Sequence, residues 1–171
     1  MSKRSAVGIV AAIFCALTLN AQAGEVRVNW QQPEKYTDIR AGNGSQEYFT
    51  AHVIKELSLV LVELAKKIPD DMTWNVTITD LDLAGDVHPV TRMGGHDIRI
   101  IKDLYWPRMS LNYTVTDQNG TVVAEGKDDI SDMNFLSGAY LIPMTSDFRY
   151  EEKMLRTWFA RQQRDKKIPQ R

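Results

Sequence analysis

Cysteine is almost absent from this sequence: Cys15 is the only one among 171 residues, and it lies in the apolar N-terminal segment. The rest of the chain therefore has no thiol, which excludes disulfides, thiolate zinc sites and cysteine nucleophiles there. Histidine is also scarce, with three residues. G-x-S-x-G, H-E-x-x-H and phosphate-loop motifs are absent, so the sequence shows no recognisable catalytic set and implies no cofactor.

An excess of positive charge is also missing. The chain has 21 Lys and Arg against 22 Asp and Glu. Without Lys3 and Arg4 of the N-terminal segment the balance is 19 against 22, or −3. Such a balance gives no support for nucleic acid as a partner. After that segment no apolar run is long enough to predict a transmembrane helix.

The N-terminus has the pattern of a secretory signal. Lys3 and Arg4 precede an apolar run over 6–19, and Ala21 to Ala23 form a small-x-small cleavage site. The pattern predicts a Sec-type signal peptide over 1–23, cleaved after Ala23, and a periplasmic or secreted location. An uncleaved membrane anchor is the alternative, and the polar residues that follow disfavour it. Residues 24–171 then form a single α+β domain with a short basic C-terminal tail.

Hydrophobic periodicity predicts the elements of this domain. A long apolar stripe at helical spacing predicts a helix between a cap at Ser45 and a stop at Pro69. A second amphipathic helix follows a cap at Ser146 or Asp147. Alternating or apolar runs predict strands over 25–30, 73–85, 97–101, 108–117 and 121–130. The sequence therefore predicts a mainly antiparallel sheet of about four to five strands with both helices on one face.

One predicted strand, 73–85, contains an irregularity. Its apolar residues are even-numbered up to Ile78 and odd-numbered from Leu81, so the apolar face switches between them. Either a bulge lies near Asp80, or the strand is buried on both sides. A bulge would place Asp80 and Asp82 at a bend.

These aspartates are the first candidate site. The structural interpretation is that they bond local backbone N–H groups or pair with Arg99 or Arg108 on the following strands. Together with Asp97 and Arg99 they form a polar cluster that either supports the fold or binds a ligand.

A metal site is the alternative for the same region. Asp80, Asp82, His88 and His96 carry oxygen and nitrogen atoms of the type that bind metal ions, although their spacing matches no known signature. With Asp97 they would give a metal-dependent hydrolase or a calcium-binding protein. A second acidic group would approach them if the strand 121–130 returns beside 73–85. It consists of Asp128, Asp129 and Asp132.

An aromatic corner is the second candidate site. Tyr105, Trp106 and Pro107 precede Arg108 at a bend between two strands. Aromatic and arginine side chains dominate recognition patches, so Tyr105, Trp106 and Arg108 could contact a ligand or partner. The competing interpretation is a packed bend that covers the end of the sheet.

Several segments together resemble a known family. They are PEKYTDIR (33–40), VTITDLDLAG (76–85), DIRI (97–100), WPRMSLNY (106–113), SDMNF (131–135) and RYEEKMLRTWF (149–159). In this order they resemble a family of secreted proteobacterial proteins catalogued as domain of unknown function 3016. The resemblance implies an exported bacterial protein and assigns no catalytic residue. We therefore expect a non-enzymatic periplasmic binding protein whose partner is an envelope protein or a cell-wall component.

Overall fold

The protein is described by a computed structural model that covers residues 24–89, 97–138 and 146–171. The predicted signal peptide, residues 1–23, lies outside this part of the chain. In chain order the elements are β1 (Glu25–Trp30), α1 (Gln46–Ala65), β2 (Thr73–Asp82), β3 (Asp86–Pro89), β4 (Asp97–Ile100), β5 (Arg108–Thr116), β6 (Val122–Ser131) and α2 (Arg149–Arg164).

The main sheet has four strands in the order β1-β2-β5-β6. Strand β1 is parallel to β2, whereas β2, β5 and β6 pair antiparallel. The predicted α+β class is confirmed. The sheet is mixed rather than purely antiparallel, because two of its three pairings are antiparallel and the pairing of β1 with β2 is parallel. The reason is the connection: α1 carries the chain back along the sheet, so β2 starts at the same end as β1.

The two short strands form a separate sheet. Strands β3 and β4 pair with each other, with Asp86 opposite Ile100 and Pro89 opposite Asp97. The strand predicted over 97–101 therefore does not join the main sheet. Strand β3 lies between the predicted strands 73–85 and 97–101, where the sequence predicts no strand. Gly85 has a φ of +84°, and this left-handed residue lies between β2 and β3.

The two helices begin in different ways. Helix α1 begins as predicted, because the Ser45 hydroxyl accepts a hydrogen bond from the Tyr48 N–H. Helix α2 has Phe148 as its N-terminal cap residue and no side-chain cap, so neither of the predicted caps, Ser146 and Asp147, is used. Phe148 is buried, and its packing in the core fixes the start of α2 instead.

Both helices contribute to one hydrophobic core on a single face of the main sheet. Their apolar stripes cover the side chains that alternate inward along β2 and β5. The core includes Val53, Leu57, Leu61 and Leu64 of α1, Leu155, Trp158 and Phe159 of α2, and Trp74, Val76, Ile78, Leu111, Tyr113 and Val115 of the sheet.

The C-terminal tail packs against the domain. Ile168 is 1% exposed and belongs to the core. The Arg171 N–H donates to the Lys67 carbonyl at 2.9 Å, and the Arg171 guanidinium lies 2.9 Å from Asp70. The basic tail predicted from sequence is therefore held by the residues that follow α1. Within the described ranges, no helix is long and apolar enough to cross a membrane.

Candidate functional site

The predicted bulge is present in β2. The register with β5 shifts between Ile78 and Asp80, as the switch of the apolar face indicated. The Asp80 carboxylate accepts hydrogen bonds from the Thr37 N–H at 2.7 Å and the Thr37 hydroxyl at 2.6 Å. Asp80 therefore fixes the segment 36–40 to the bend, and it pairs with neither of the arginines proposed from sequence.

The segment 36–40 continues along β2 where β1 has ended. The Asp38 N–H donates to the Leu81 carbonyl, and the Leu83 N–H donates to the Asp38 carbonyl, both at 3.0 Å. This bridge is parallel, like the pairing of β1 with β2. The backbone groups at this edge of β2 thus have hydrogen-bond partners beyond the bulge, and residues 36–40 are held beside the end of β2.

Asp82 pairs with Arg108, as the sequence predicted. The two residues are register partners on β2 and β5, and Arg108 Nη2 lies 2.9 Å from Asp82 Oδ2. Burial raises the pKa of Asp82, and repulsion from Asp38 and Asp80 acts in the same direction, against the lowering effect of Arg108. The Asp82 side chain is 16% exposed and that of Arg108 is 59% exposed.

Arg99 binds Asp38 rather than Asp80 or Asp82. Its Nη1 and Nη2 atoms lie 2.9 Å and 3.1 Å from the two Asp38 oxygens. The physical reason is that β4 pairs with β3, so Arg99 approaches segment 36–40 from the small sheet. Asp97 is exposed at the other end of β4. The predicted polar cluster of Asp80, Asp82, Asp97 and Arg99 is therefore not formed. Three of these residues have separate partners, and Asp97 is exposed.

A cleft of about 930 Å³ opens beside these ion pairs. It lies between the segment 33–40, the first turns of α1, the residues after β2 and the aromatic corner. Its lining consists of Pro33, Glu34, Tyr36, Thr37, Asp38, Ile39, Arg40, Gln46, Glu47, Thr50, Ala51, Ile54, Asp82, Leu83, Gly85, Asp86, Tyr105, Trp106 and Arg108. The structure thus brings Asp82 and the predicted aromatic patch to one site.

The aromatic corner forms one wall of the cleft. Tyr105 and Trp106 are half-buried, and Pro107 is buried. The Arg108 guanidinium carbon lies 5.5 Å from the centre of the Trp106 ring, at a distance typical of a cation–π contact. The Gly85 N–H donates to the Tyr105 carbonyl at 2.9 Å and holds the corner against the end of β2.

The segment 33–40 is the part of the site that sequence reasoning missed. The sequence predicts no helix or strand there, yet seven of its eight residues line the cleft. Tyr36 is buried in this segment and donates its hydroxyl proton to the Ile78 carbonyl at 2.8 Å. Burial, with the nearby Asp80 charge, raises the pKa of Tyr36 to about 12. An aromatic residue among charged ones in a loop is a signal that could have indicated this role.

The residues of the metal alternative are not gathered in the described part of the chain. Asp80 is bound to Thr37, and Asp82 to Arg108. His88 Nε2 lies 3.3 Å from Asp86 Oδ2 without the orientation of a hydrogen bond. His96 lies outside the described residues. Within those residues, no group of three or more histidine, cysteine, aspartate or glutamate side chains could hold a metal ion.

The second acidic group does not approach Asp80 and Asp82, because β5 lies between β2 and β6. Asp128 instead accepts hydrogen bonds from Trp158 Nε1 and Gln162 Nε2, both at 2.9 Å. These contacts join β6 to α2.

A buried carboxylate lies behind the cleft. Glu151, on the first turn of α2, is 2% exposed, and its Oε1 accepts a hydrogen bond from the Ala84 N–H at 2.7 Å. Burial raises the pKa of Glu151, although the Ala84 N–H acts in the opposite direction. The sequence indicates only an acidic residue near a helix start, so it does not predict this contact.

The fold and the site together define a small α+β domain with an open cleft, and the aromatic corner forms one wall of this cleft. The chain belongs to the family described as "Protein of unknown function (DUF3016)", which it matches over residues 24–161. No curated protein matches the chain. Among solved structures it is similar to a minor lipoprotein from Acinetobacter baumannii, with 10% identity and a TM-score of 0.30, covering 87% of this chain and 98% of that one.

Proposed function

We propose that the protein is a non-enzymatic binding protein of the bacterial envelope, and that an envelope protein or a cell-wall component enters the cleft. The observation that carries the proposal is the meeting of the aromatic corner with the segment 33–40 around one open volume. Half-buried aromatic rings beside an exposed guanidinium are typical of recognition sites. The paired strands β2 and β5 provide a rigid support for them.

The size of the cleft supports this proposal. A volume of about 930 Å³ lies within the range of about 300–1,000 Å³ that is typical of ligand sites. Its lining combines apolar side chains, such as Ile54 and Trp106, with a few charged groups. Such a lining suits a ligand that has both apolar and polar parts.

The state of the polar groups favours binding over acid–base catalysis. Asp38 is paired with Arg99, and Asp82 with Arg108. The hydroxyl of Tyr36 is bound to a backbone carbonyl, and its raised pKa keeps it protonated at neutral pH. These groups are engaged within the protein, so they are poorly placed to exchange protons with a substrate.

The envelope location rests on the sequence of residues 1–23, whose pattern is that of a secretory signal. Expression of the full chain in a Gram-negative host, followed by fractionation and N-terminal sequencing, tests it. We expect a periplasmic or extracellular product that begins at Gly24. A cytoplasmic product that retains Met1 would contradict the proposed location.

Photo-crosslinking in cells tests the role of the cleft. Benzoylphenylalanine replaces Ala51, an exposed residue of the cleft lining, or Val123, an exposed residue of β6 outside it. We expect a specific crosslinked adduct from position 51 and none from position 123. Adducts from neither position, or equal adducts from both, would count against the cleft as the binding site.

A further inference from the structure

We infer that the cleft binds a cationic ligand, namely a peptide segment that carries lysine or arginine side chains. This inference rests on the proposed function, because it assigns a chemical class to the ligand of the same cleft. It depends on the distribution of charge in the lining, on the carboxylates that remain unpaired, and on the way the protein's own Arg108 is held.

Negative charge predominates in the lining. Five acidic and two basic residues line the cleft, which gives a formal charge of −3, or −2 when Arg99, the partner of Asp38 outside the lining, is included. The carboxylates belong to Glu34, Asp38, Glu47, Asp82 and Asp86, and the guanidinium groups to Arg40 and Arg108. A cleft whose lining has a net negative charge attracts cationic ligands.

Two of the carboxylates form no ion pair with another described residue. Asp38 is paired with Arg99, Asp82 with Arg108, and Asp86 lies 3.8 Å from Arg40. Glu34 and Glu47 are exposed, and no ion pair joins them to a cation of the described residues.

These two glutamates lie on different walls of the cleft. Glu34 lies on the 3-10 turn Pro33–Lys35, and Glu47 lies in the first turn of α1. The start of a helix also favours a carboxylate through the helix dipole, which accounts for Glu47 in part. The three-residue turn that carries Glu34 is too short for a comparable dipole, so Glu34 is not accounted for in this way.

Arg108 shows how this cleft holds a cation. Its guanidinium lies 5.5 Å from the centre of the Trp106 ring and 2.9 Å from Asp82. An aromatic face and a carboxylate are the two groups that recognise lysine and arginine side chains. Because the Arg108 side chain is 59% exposed, it can move aside and leave this position to a cation of the ligand.

The apolar part of the lining favours a peptide over a small inorganic cation. Ala51 and Ile54 on α1, together with the buried Ile39 and Leu83, form the apolar part of the lining. The aliphatic stems of lysine and arginine pack on such surfaces while their charged ends reach carboxylates. The volume of about 930 Å³ also accommodates several side chains rather than one ion.

Titration calorimetry with acetylated, amidated tetralysine tests the inference, with the same peptide acetylated on its side chains as the uncharged control. We expect the charged peptide alone to bind. The double variant Glu34→Gln/Glu47→Gln should weaken binding about three- to tenfold. The double variant Asp71→Asn/Glu125→Gln changes the net charge equally at exposed positions outside the cleft, and it should leave the affinity unchanged.

Arg108→Gln distinguishes a cationic from an anionic ligand. Removal of the guanidinium frees Asp82 and the Trp106 ring, so tetralysine should bind more tightly. Weaker binding to this variant, equal binding of the uncharged peptide, or equal losses from both double variants would overturn the inference. If tetralysine fails to bind while position 51 still forms crosslinks in cells, the inference is wrong and the proposed function stands. If position 51 forms no crosslink, the proposed function itself fails.

Discussion

Asp82 and Arg108 face each other across β2 and β5, and Arg108 Nη2 lies 2.9 Å from Asp82 Oδ2. This ion pair joins the two candidate sites that the sequence indicated separately, the acidic bend and the aromatic corner. The pKa of Asp82 is raised because burial, together with the charges of Asp38 and Asp80, outweighs the opposing effect of Arg108. The pair therefore places charges at the cleft without contributing much to stability.

We expect Asp82→Asn to change the free energy of unfolding by less than about 1 kcal/mol at pH 7. An ion pair with one exposed partner contributes little, and the substitution also removes a partly buried charge. Urea denaturation of both proteins measures the difference. A loss above about 2 kcal/mol would mean that this pair is a major determinant of the fold.

Asp80→Ala should lower the free energy of unfolding by about 1–3 kcal/mol, more than Asp82→Asn does. The reason is that Thr37 loses both hydrogen bonds to the carboxylate. Asp80→Asn is the matched variant. Its amide can accept from the Thr37 N–H and donate to the Thr37 hydroxyl, so its loss should be smaller. Added calcium should not change the difference in stability between the parent protein and either variant. A melting temperature that rises with calcium in the parent protein but not in these variants would indicate a metal site instead.

Trp106→Ala should lower the free energy of unfolding by roughly 1–2 kcal/mol, because its side chain is only half-buried. Trp158→Ala provides the comparison, since Trp158 is 2% exposed in the core and its loss should be about 3–5 kcal/mol. Denaturant unfolding of the two variants gives both values. Equal losses would mean that Trp106 serves mainly as a core residue.

Glu151→Gln should raise the melting temperature at pH 7 but not at pH 4. The folded-state pKa of Glu151 lies above its ordinary value of 4.5, so the folded protein holds this proton more tightly than the unfolded chain. The associated stability is fully present below the ordinary pKa, and it is lost as the pH rises through the folded-state pKa. Glutamine has no such proton and can still accept from the Ala84 N–H.

Melting curves of both proteins between pH 4 and pH 8 measure this effect. The advantage of the Glu151→Gln variant should grow with pH and then level off. An advantage that shrinks as the pH rises would show that the ionised carboxylate stabilises the fold.

Local patterns in the sequence predict some of these features well. The switch of apolar residues between Ile78 and Leu81 indicates the bulge, because side chains alternate between faces at every residue. Ser45 and the long apolar stripe predict α1 for the same kind of local reason. In both cases, neighbouring residues contain all the information that is needed.

The remaining features depend on contacts between distant residues. Alternation shows that a strand has two faces, but it does not show its direction or its partner, so it leaves the parallel pairing of β1 with β2 undetermined. The pair Asp38–Arg99 joins residues 61 positions apart. For the same reason, the aromatic residue among charged ones in the segment 33–40 signals a role for that segment but does not show that it forms a wall of the cleft.

Gly85 holds the aromatic corner at the end of β2, and no other residue type fits there without strain. Its φ is +84°, and an added Cβ would lie 2.7 Å from the Ile100 carbonyl oxygen. Gly44 has a similar φ of +81° with nothing within 4 Å of such a Cβ, so it provides the matched control. Gly44→Ala should cost only the backbone strain, about 1–2 kcal/mol.

Gly85→Ala should cost that strain and about 1–3 kcal/mol more, because the backbone of β4 must move. It should also weaken the hydrogen bond from the Gly85 N–H to the Tyr105 carbonyl and displace the corner. Denaturant unfolding measures the first effect, and crosslinking from position 51 in the two variants measures the second. Equal losses of stability in both variants would show that the contact with Ile100 relaxes easily. A reduced crosslink in Gly85→Ala alone would indicate that binding in the cleft depends on how Gly85 positions Tyr105.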